Sequence, residues 1–171
     1  MSILKKSIIA SAALALPLAV SANSKLEKMM KDPGQWVQQS GDYAGHRYSS
    51  LDQINKSNVG SLKVAWTFST GVLRGHEGGP LVIGDTMYVH TAIPNIVYAL
   101  DLNDNQRIIW KYNPVKGGKY PGGETMDRVI SVMCCDNVNR GVNYHPNGTI
   151  VLHAADTSVI ALDAKTGKEK W

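Results

Sequence analysis

A repeated pattern that ends in tryptophan constrains the fold of this chain more than any other feature of its sequence. Residues 161–171 have the form A-x-D-x-x-T-G-x-x-x-W. Residues 99–110 carry a looser copy, which is one residue longer and lacks the Thr-Gly pair, and residues 62–68 match the strand that follows such a turn. In this pattern a strand ends in Ala-Leu-Asp, turns at Thr-Gly, and leads into a strand whose Trp docks between neighbouring sheets. Repeated small sheets of this kind pack radially into a β-propeller.

Strand-like segments fill the chain from about Asn58 onward. They are short apolar or alternating runs, and Gly, Asn, Asp and Pro separate them. Only Ser24–Lys31 shows a short helical period after the first 22 residues. The sequence therefore predicts an all-β fold. The predicted strands are 64–68, 80–83, 86–90, 97–100, 108–112, 150–154 and 159–162.

The spacing of the tryptophans predicts how much of a propeller is present. Trp66 and Trp110 are 44 residues apart, and Trp110 and Trp171 are 61 residues apart. A four-stranded blade takes roughly 40–50 residues, and a closed propeller needs about 4 to 8 blades. Residues 58–171 therefore predict about two blades, and we expect the chain to be the N-terminal piece of a longer protein. Because such a piece would expose an open sheet edge, we expect it to fold poorly alone.

The first 22 residues have the features of a secretory signal peptide. Two lysines, Lys5 and Lys6, precede an apolar run over residues 8–20, and small residues stand before a cleavage site after Ala22. A membrane anchor would need about 18 unbroken apolar residues, whereas a serine and a proline interrupt this run. The sequence thus predicts export and three parts: the signal peptide 1–22, an N-terminal extension 23–57, and the propeller blades 58–171.

The charge of the chain argues against a nucleic-acid partner. The formal net charge is +4, and removal of Lys5 and Lys6 with the signal peptide lowers it to +2. The remaining lysines and arginines form no cluster. A chain that binds nucleic acid mainly through its phosphates carries a stronger and more localised positive charge.

The only two cysteines, Cys134 and Cys135, are neighbours in the sequence. Adjacent cysteines cannot join distant parts of a chain. They are either a pair of buried thiols or a vicinal disulfide, whose eight-membered ring strains the peptide between them. An oxidising compartment favours the disulfide, and strained groups of this kind occur at functional sites. The residues alone leave both alternatives open.

Two segments resemble the PQQ-dependent (pyrroloquinoline quinone) alcohol dehydrogenases, which are periplasmic quinoproteins built as eight-bladed propellers. One is Tyr48–Lys63, which follows the N-terminal pattern of that family over sixteen positions. The other is Cys-Cys-Asp at 134–136 with Val-Asn-Arg-Gly at 138–141. Within the family, this second segment is most similar to the large subunit of methanol dehydrogenase, particularly the lanthanide-dependent type. The resemblance extends from about Trp36 to the end of the chain.

The resemblance implies a role in cofactor binding for four residues. Glu77 matches a glutamate that contacts PQQ, although the residue pattern alone favours a solvated loop carboxylate. Cys134 and Cys135 match a vicinal disulfide that packs against the face of the PQQ ring. Arg140 matches an arginine that binds a PQQ carboxylate, for which a planar guanidinium is a suitable bidentate partner.

The resemblance also implies a reaction. A primary alcohol such as methanol is oxidised to the aldehyde by hydride transfer to PQQ. A Ca²⁺ or lanthanide ion acts as Lewis acid, and an aspartate removes the hydroxyl proton. The electrons then pass to cytochrome c. We expect the metal ligands and the catalytic aspartate to lie beyond residue 171, so that residues 1–171 contain neither, and we expect the full-length protein to be a periplasmic homodimer.

Three alternatives remain at this point. The metal is undecided between Ca²⁺ and a lanthanide, and the local resemblance favours the lanthanide. The substrate of a PQQ enzyme could instead be ethanol, another alcohol or a sugar. A non-catalytic propeller scaffold could carry the same Trp repeat, but such proteins lack the Cys pair and the Glu and Arg that would hold PQQ.

Overall fold

A computed structural model describes residues 23–171 of the chain, so the predicted signal peptide lies outside the described residues. No helix in this range is long and apolar enough to cross a membrane. The helices are α1 (Ser24–Met30) and α2 (Met126–Val132), with short 3-10 turns at Val59–Ser61 and Cys135–Asn137. The strands are β1 (Leu81–Ile83), β2 (Thr86–His90), β3 (Val97–Asp101), β4 (Arg107–Tyr112), β5 (Val142–His145), β6 (Thr149–His153) and β7 (Val159–Asp163).

The strands form two antiparallel sheets in which each strand pairs with the next in sequence. The first sheet has the order β1-β2-β3-β4 and the second has the order β5-β6-β7. The chain after β7 returns along it, because Ala161 N–H donates to the carbonyl of Trp171 at 2.8 Å and Lys170 N–H donates to Ala161 at 2.7 Å. Two consecutive small meanders are the arrangement of propeller blades. The predicted all-β propeller class is confirmed, as is the prediction that the chain covers only part of a propeller.

The Asp, Thr and Gly of the second repeat have defined roles in the geometry of its turn. Asp163 accepts hydrogen bonds from the backbone of Lys165 and from both the backbone and the hydroxyl of Thr166, at 3.0–3.1 Å. The Thr166 hydroxyl bond is the main reason that the pKa of Asp163 lies below its usual value. Gly167 then has φ +67°, a conformation that glycine adopts without steric cost. The Asp, Thr and Gly of the pattern therefore build one tight turn.

The looser first repeat accommodates its additional residue in a β-bulge. Ala99 faces Trp110 across the sheet, whereas Leu100 faces Ile108, so the register shifts between these two pairs. A bulge leaves one residue of a strand unpaired and increases the local twist. The turn between β3 and β4 contains no Thr-Gly pair and instead has positive φ at Asn105 and Gln106.

Trp110 joins the two sheets. Its side chain is 8% exposed, and its indole N–H donates to the carbonyl of Ala164 at 3.0 Å. The hydroxyl of Tyr88 donates to the same carbonyl at 3.1 Å. A Cβ added to Gly167 would lie 2.6 Å from the indole ring, so the ring packs directly on the glycine of the turn. The predicted docking of a Trp between neighbouring sheets is therefore present.

One hydrophobic core extends across both sheets around this contact. It includes Leu81, Val97, Ala99, Val142, Ile150, Leu152 and Leu162, each of which is fully buried. The blades are therefore not independent units in this chain. Each contributes one apolar face to a shared interior.

The N-terminal extension packs on the outside of this pair of sheets. The predicted helix Ser24–Lys31 is present as α1, and the Asn23 side chain caps it by accepting from Leu26 N–H at 3.2 Å. Further along, Trp36 exchanges two backbone hydrogen bonds with Val82 of β1, at 2.8 and 2.9 Å. The extension thus reaches the first sheet at its outer strand.

Three secondary-structure predictions need correction. Residues 64–68 are not a strand: Val64 and Trp66 are 80% and 40% exposed, and no strand among residues 23–171 pairs with them. An extended segment becomes a strand only when a neighbour accepts its hydrogen bonds. Conversely, α2 and β5 are present but were not predicted. The α2 helix has only 7 residues and β5 has only 4, so each gives a short sequence pattern.

We predict that Gly167→Ala destabilises the protein by about 1–3 kcal/mol more than Gly148→Ala. Both glycines lie in strand-connecting turns with positive φ, +67° and +83°, so both substitutions carry a similar backbone cost. Only a methyl group at 167 collides with Trp110, because nothing lies within 4 Å of a Cβ at 148. Denaturant unfolding of the protein expressed from the complete reading frame measures the difference. Equal losses for the two variants would show that the Trp110 contact contributes nothing.

Candidate functional site

Two loop segments meet at the edge of the sheets and bring Glu77 and Arg140 together. One segment, residues 75–79, precedes β1, and the other, residues 134–141, connects α2 to β5. The carboxylate of Asp136 links them, because it accepts a hydrogen bond from Gly75 N–H at 2.5 Å and lies 3.5 Å from the Arg74 guanidinium. The two segments thus hold Glu77 next to Arg140.

Cys134 and Cys135 form a disulfide, with their Cα atoms 3.8 Å apart, and both residues are exposed. The alternative of a pair of buried thiols is therefore wrong. Cys135, Asp136 and Asn137 have φ of +64°, +55° and +57°, in the left-handed region that non-glycine residues rarely enter. A run of such residues carries a conformational cost, and it persists only where the surrounding structure fixes it.

Backbone hydrogen bonds of the buried residue Asn137 hold this strained segment in place. Asn137 is 5% exposed, and its carbonyl accepts from Ile93 N–H at 3.1 Å. Its own N–H donates to the carbonyl of Cys134 at 3.0 Å. The segment is thereby anchored to the chain that follows β2, while the disulfide remains on the surface.

Glu77 and Arg140 form an ion pair with a distance of 3.0 Å between Oε2 and Nη2. Their side chains are 49% and 72% exposed. An exposed pair of this kind contributes about 0–1 kcal/mol to folding. Among the described residues, only Glu77 receives a hydrogen bond from the Arg140 side chain, so other N–H groups of the guanidinium face solvent.

Gly78 allows the two segments to approach closely. A Cβ at this position would lie 2.9 Å from the carbonyl carbon of Arg140, and it would overlap the imidazole of His90. Any other residue would therefore push the Glu77 loop away from Arg140. The glycine pair after Glu77 is the sequence signal for this contact, although the sequence does not identify the residues on the other side.

His90 lies at the end of β2 and contacts both loop segments of the site. Its side chain is buried, and Nε2 lies 3.0 Å from the carbonyl of Asn139, so the tautomer with Nε2–H donates this bond. Burial lowers the pKa of His90, which keeps the imidazole neutral. No sequence pattern indicated a role for His90, because a lone histidine that ends a strand is usually structural.

Gln39 of the N-terminal extension contacts the other side of the Arg140 segment. Its amide donates to the carbonyl of Val142 at 3.4 Å. A Cβ on Gly141, which has φ +142°, would overlap that amide. A shallow cavity of about 380 Å³ beside Arg140 is lined by Gln39, Asn139 and His153 among others.

A larger cavity lies away from the predicted site residues. A cavity of about 560 Å³ lies between α1 and residues 41–50, and none of the predicted site residues lines it. In residues 23–171, no group of three His, Cys, Asp or Glu side chains is arranged to hold a metal ion.

Two exposed groups of this surface have properties that suit ligand binding. The exposed guanidinium can bind a carboxylate through two parallel hydrogen bonds. The exposed disulfide offers a rigid, polarizable surface in the same segment. Fold and site together define a β-propeller domain that presents an arginine, a glutamate and a vicinal disulfide at the edge of its first blades.

Comparison with protein families matches residues 36–171 to the β-propeller domain of PQQ-dependent glucose, ethanol and alcohol dehydrogenases. The match covers well over half of the chain. The chain therefore belongs to the family of PQQ-dependent dehydrogenases.

Individual relatives agree with this assignment. The chain is 55% identical over 160 residues to a lanthanide-dependent methanol dehydrogenase of Methylorubrum extorquens, covering 94% of this chain and 25% of the relative. It is 43% identical over 170 residues to subunit 1 of a methanol dehydrogenase [cytochrome c] of Paracoccus denitrificans, covering 93% and 26%. A solved structure of a europium-containing methanol dehydrogenase superposes with a TM-score of 0.79 at 54% identity, covering 87% and 24%. The chain thus spans about a quarter of the length of these relatives.

We predict that the Glu77–Arg140 pair couples by less than about 1 kcal/mol in the protein without a cofactor. A double-mutant cycle with Glu77→Gln and Arg140→Gln, followed by denaturant unfolding, measures this energy. The exposed pair Glu124–Arg128, at 2.8 Å with exposures of 45% and 73%, is the matched control and should give a similar value. A coupling energy above about 2 kcal/mol at 77 and 140 alone would mean that the pair serves the fold.

Proposed function

We propose that this chain forms one wall of the cofactor site of a periplasmic quinoprotein alcohol dehydrogenase that oxidises methanol. The proposal depends mainly on one observation. In a chain of this family, an exposed vicinal disulfide, Cys134–Cys135, lies in the same short segment as an exposed arginine that is paired with Glu77.

The residues of this face suit PQQ. The cofactor is a planar quinone with three carboxylates, and Arg140 has N–H groups available for a carboxylate beyond the one that it donates to Glu77. Because both charged side chains are about half or more exposed, neither must leave a buried position to reach a ligand. The disulfide is rigid, so it covers a flat ring without losing side-chain entropy.

When bound, PQQ supplies the two-electron acceptor for alcohol oxidation. In this proposal Arg140 binds a cofactor carboxylate and fixes the orientation of the ring. Glu77 holds the Arg140 guanidinium in place and accepts hydrogen bonds at the cofactor edge. The disulfide between Cys134 and Cys135 covers one face of the ring and excludes water from it.

The metal, substrate and electron acceptor belong to the same proposal. The relative named as a lanthanide-dependent methanol dehydrogenase and the europium-containing structure support a lanthanide and methanol. The relative named methanol dehydrogenase [cytochrome c] supports cytochrome c as electron acceptor. We propose a lanthanide ahead of Ca²⁺, metal ligands and a catalytic aspartate beyond residue 171, and a homodimeric full-length enzyme.

We test the function with protein expressed from the complete reading frame that contains residues 1–171. The protein is reconstituted with PQQ and either a lanthanide or Ca²⁺, and dye-linked oxidation of methanol and ethanol is measured. Methanol oxidation that requires PQQ and is fastest with a lanthanide supports the proposal. A strong preference for ethanol would identify another alcohol dehydrogenase. A protein that binds no PQQ with either metal would be a non-catalytic propeller.

We predict that Arg140→Ala lowers PQQ affinity at least about 100-fold, because it removes a charge-assisted bidentate partner of a carboxylate. Arg128→Ala is the matched control, since Arg128 on α2 is equally exposed at 73% and pairs with Glu124, which precedes the helix. The affinity is measured by titration of the cofactor-free protein. If both variants bound PQQ like the wild type, Arg140 would not be a cofactor ligand.

Export to the periplasm predicts a mature protein that begins at Asn23. Cleavage after Ala22 removes the two lysines of the signal peptide. Intact-mass measurement of protein from the periplasmic fraction of an expression host identifies the new N-terminus. A protein retained in the cytoplasm with its N-terminal residues would contradict this assignment.

A further inference from the structure

We propose that His90 is a positioning residue that fixes Glu77 and Arg140 relative to each other for cofactor binding. The imidazole acts through its contacts with the backbone of Asn139 and with Gly78. This inference rests on the proposed function, because it concerns how the same face presents its two charged groups.

The first support is the place of His90 in the first sheet. It ends β2, an inner strand, and pairs with Val97 of β3. Its side chain is 5% exposed. The imidazole is therefore held by a buried residue of an inner strand, while the residues of the site lie on loops.

The second support is that one ring contacts both segments of the site. Nε2 lies 3.0 Å from the carbonyl of Asn139, the residue before Arg140. Gly78, the residue after Glu77, packs so closely that a Cβ there would overlap the ring. The imidazole thus contacts the backbones of both segments beside the point where Gly78 and Arg140 approach each other.

The third support comes from the Asn139 side chain, which makes the hydrogen bond from His90 effective. Its Oδ1 accepts from Gly141 N–H at 2.9 Å, and its Nδ2 donates to the carbonyl of His153 at 2.9 Å. Both ends of the Asn139 side chain are therefore held, and only the peptide group of Asn139 could still rotate. The hydrogen bond from His90 to the Asn139 carbonyl prevents that rotation. The backbone of Arg140 is then fixed from the residue before and the residue after.

The fourth support is that a histidine at this buried position is energetically unfavourable for the fold. Nδ1 of His90 is buried and has no hydrogen-bond partner within residues 23–171. An unpaired buried polar atom is unfavourable, so an apolar side chain would satisfy a purely structural role at lower cost. The donor at Nε2 is the property that an apolar side chain lacks.

The experiment compares His90→Leu and His90→Gln in protein expressed from the complete reading frame. Leu fills a similar volume without a donor, whereas the Gln amide can donate from the position of Nε2. PQQ affinity is measured by titration with the metal present. We expect His90→Leu to weaken PQQ binding about ten-fold and His90→Gln to stay within about three-fold of the wild type. His145→Leu, at an exposed histidine on β5, is the control and should leave the affinity unchanged.

A second measurement is independent of the cofactor. Hydrogen exchange in the cofactor-free protein follows the peptides that contain residues 75–79 and 138–142. We expect faster exchange in both segments for His90→Leu, wild-type exchange for His90→Gln, and no local change for His145→Leu.

The outcomes separate this inference from the proposed function. If the wild type binds PQQ and His90→Leu matches it in both affinity and exchange, His90 is not a positioning residue, while the proposed function stands. If His90→Gln fails as badly as His90→Leu, the imidazole only fills space and the inference is wrong. If the wild type binds no PQQ, both the proposed function and the cofactor role of His90 fail, and the exchange data alone decide whether His90 couples the two segments.

Discussion

The contact between Trp110 and the turn at Gly167 determines the geometry on which the rest of the structure depends. The indole donates to the carbonyl of Ala164 and packs on the glycine, so the first sheet has one position relative to the second. His90 belongs to the first sheet, and Arg140 lies two residues before the first strand of the second. The docking of one tryptophan therefore also fixes the loops that bring Glu77 and Arg140 together.

The residues that stabilise the fold are separate from the exposed loops. The fully buried residues belong to the sheets and to the chain packed on them, whereas the disulfide and the ion pair lie on exposed loops. The exposed pair adds little to folding, and the left-handed residues 135–137 cost free energy. Backbone hydrogen bonds to buried groups, such as that between Ile93 and Asn137, maintain the strained segment. The sheets thus form a rigid scaffold that carries a strained and exposed loop.

The sequence predicted those features that depend on local chemistry. The turn at Asp163 and Gly167 is encoded by a few adjacent residues, so the repeat and the fold class were readable. Residues 64–68 were misassigned because a strand also requires a partner, which local composition does not supply. The resemblance indicated Glu77 and Arg140, but not His90 or Gln39. Their contacts join residues 49 and 103 positions apart, and only the folded chain creates them.

The direction of the tryptophan contact has a consequence for synthesis. Trp110 docks on a turn that the ribosome completes 57 residues later, at Gly167. Until that turn emerges from the ribosome, the indole of Trp110 and the hydroxyl of Tyr88 lack their packing and hydrogen-bond partners. The inner face of the first sheet then remains exposed to water. The first blade is thus completed only by the second, and its aromatic residues stay exposed to water until residue 167 has been synthesised.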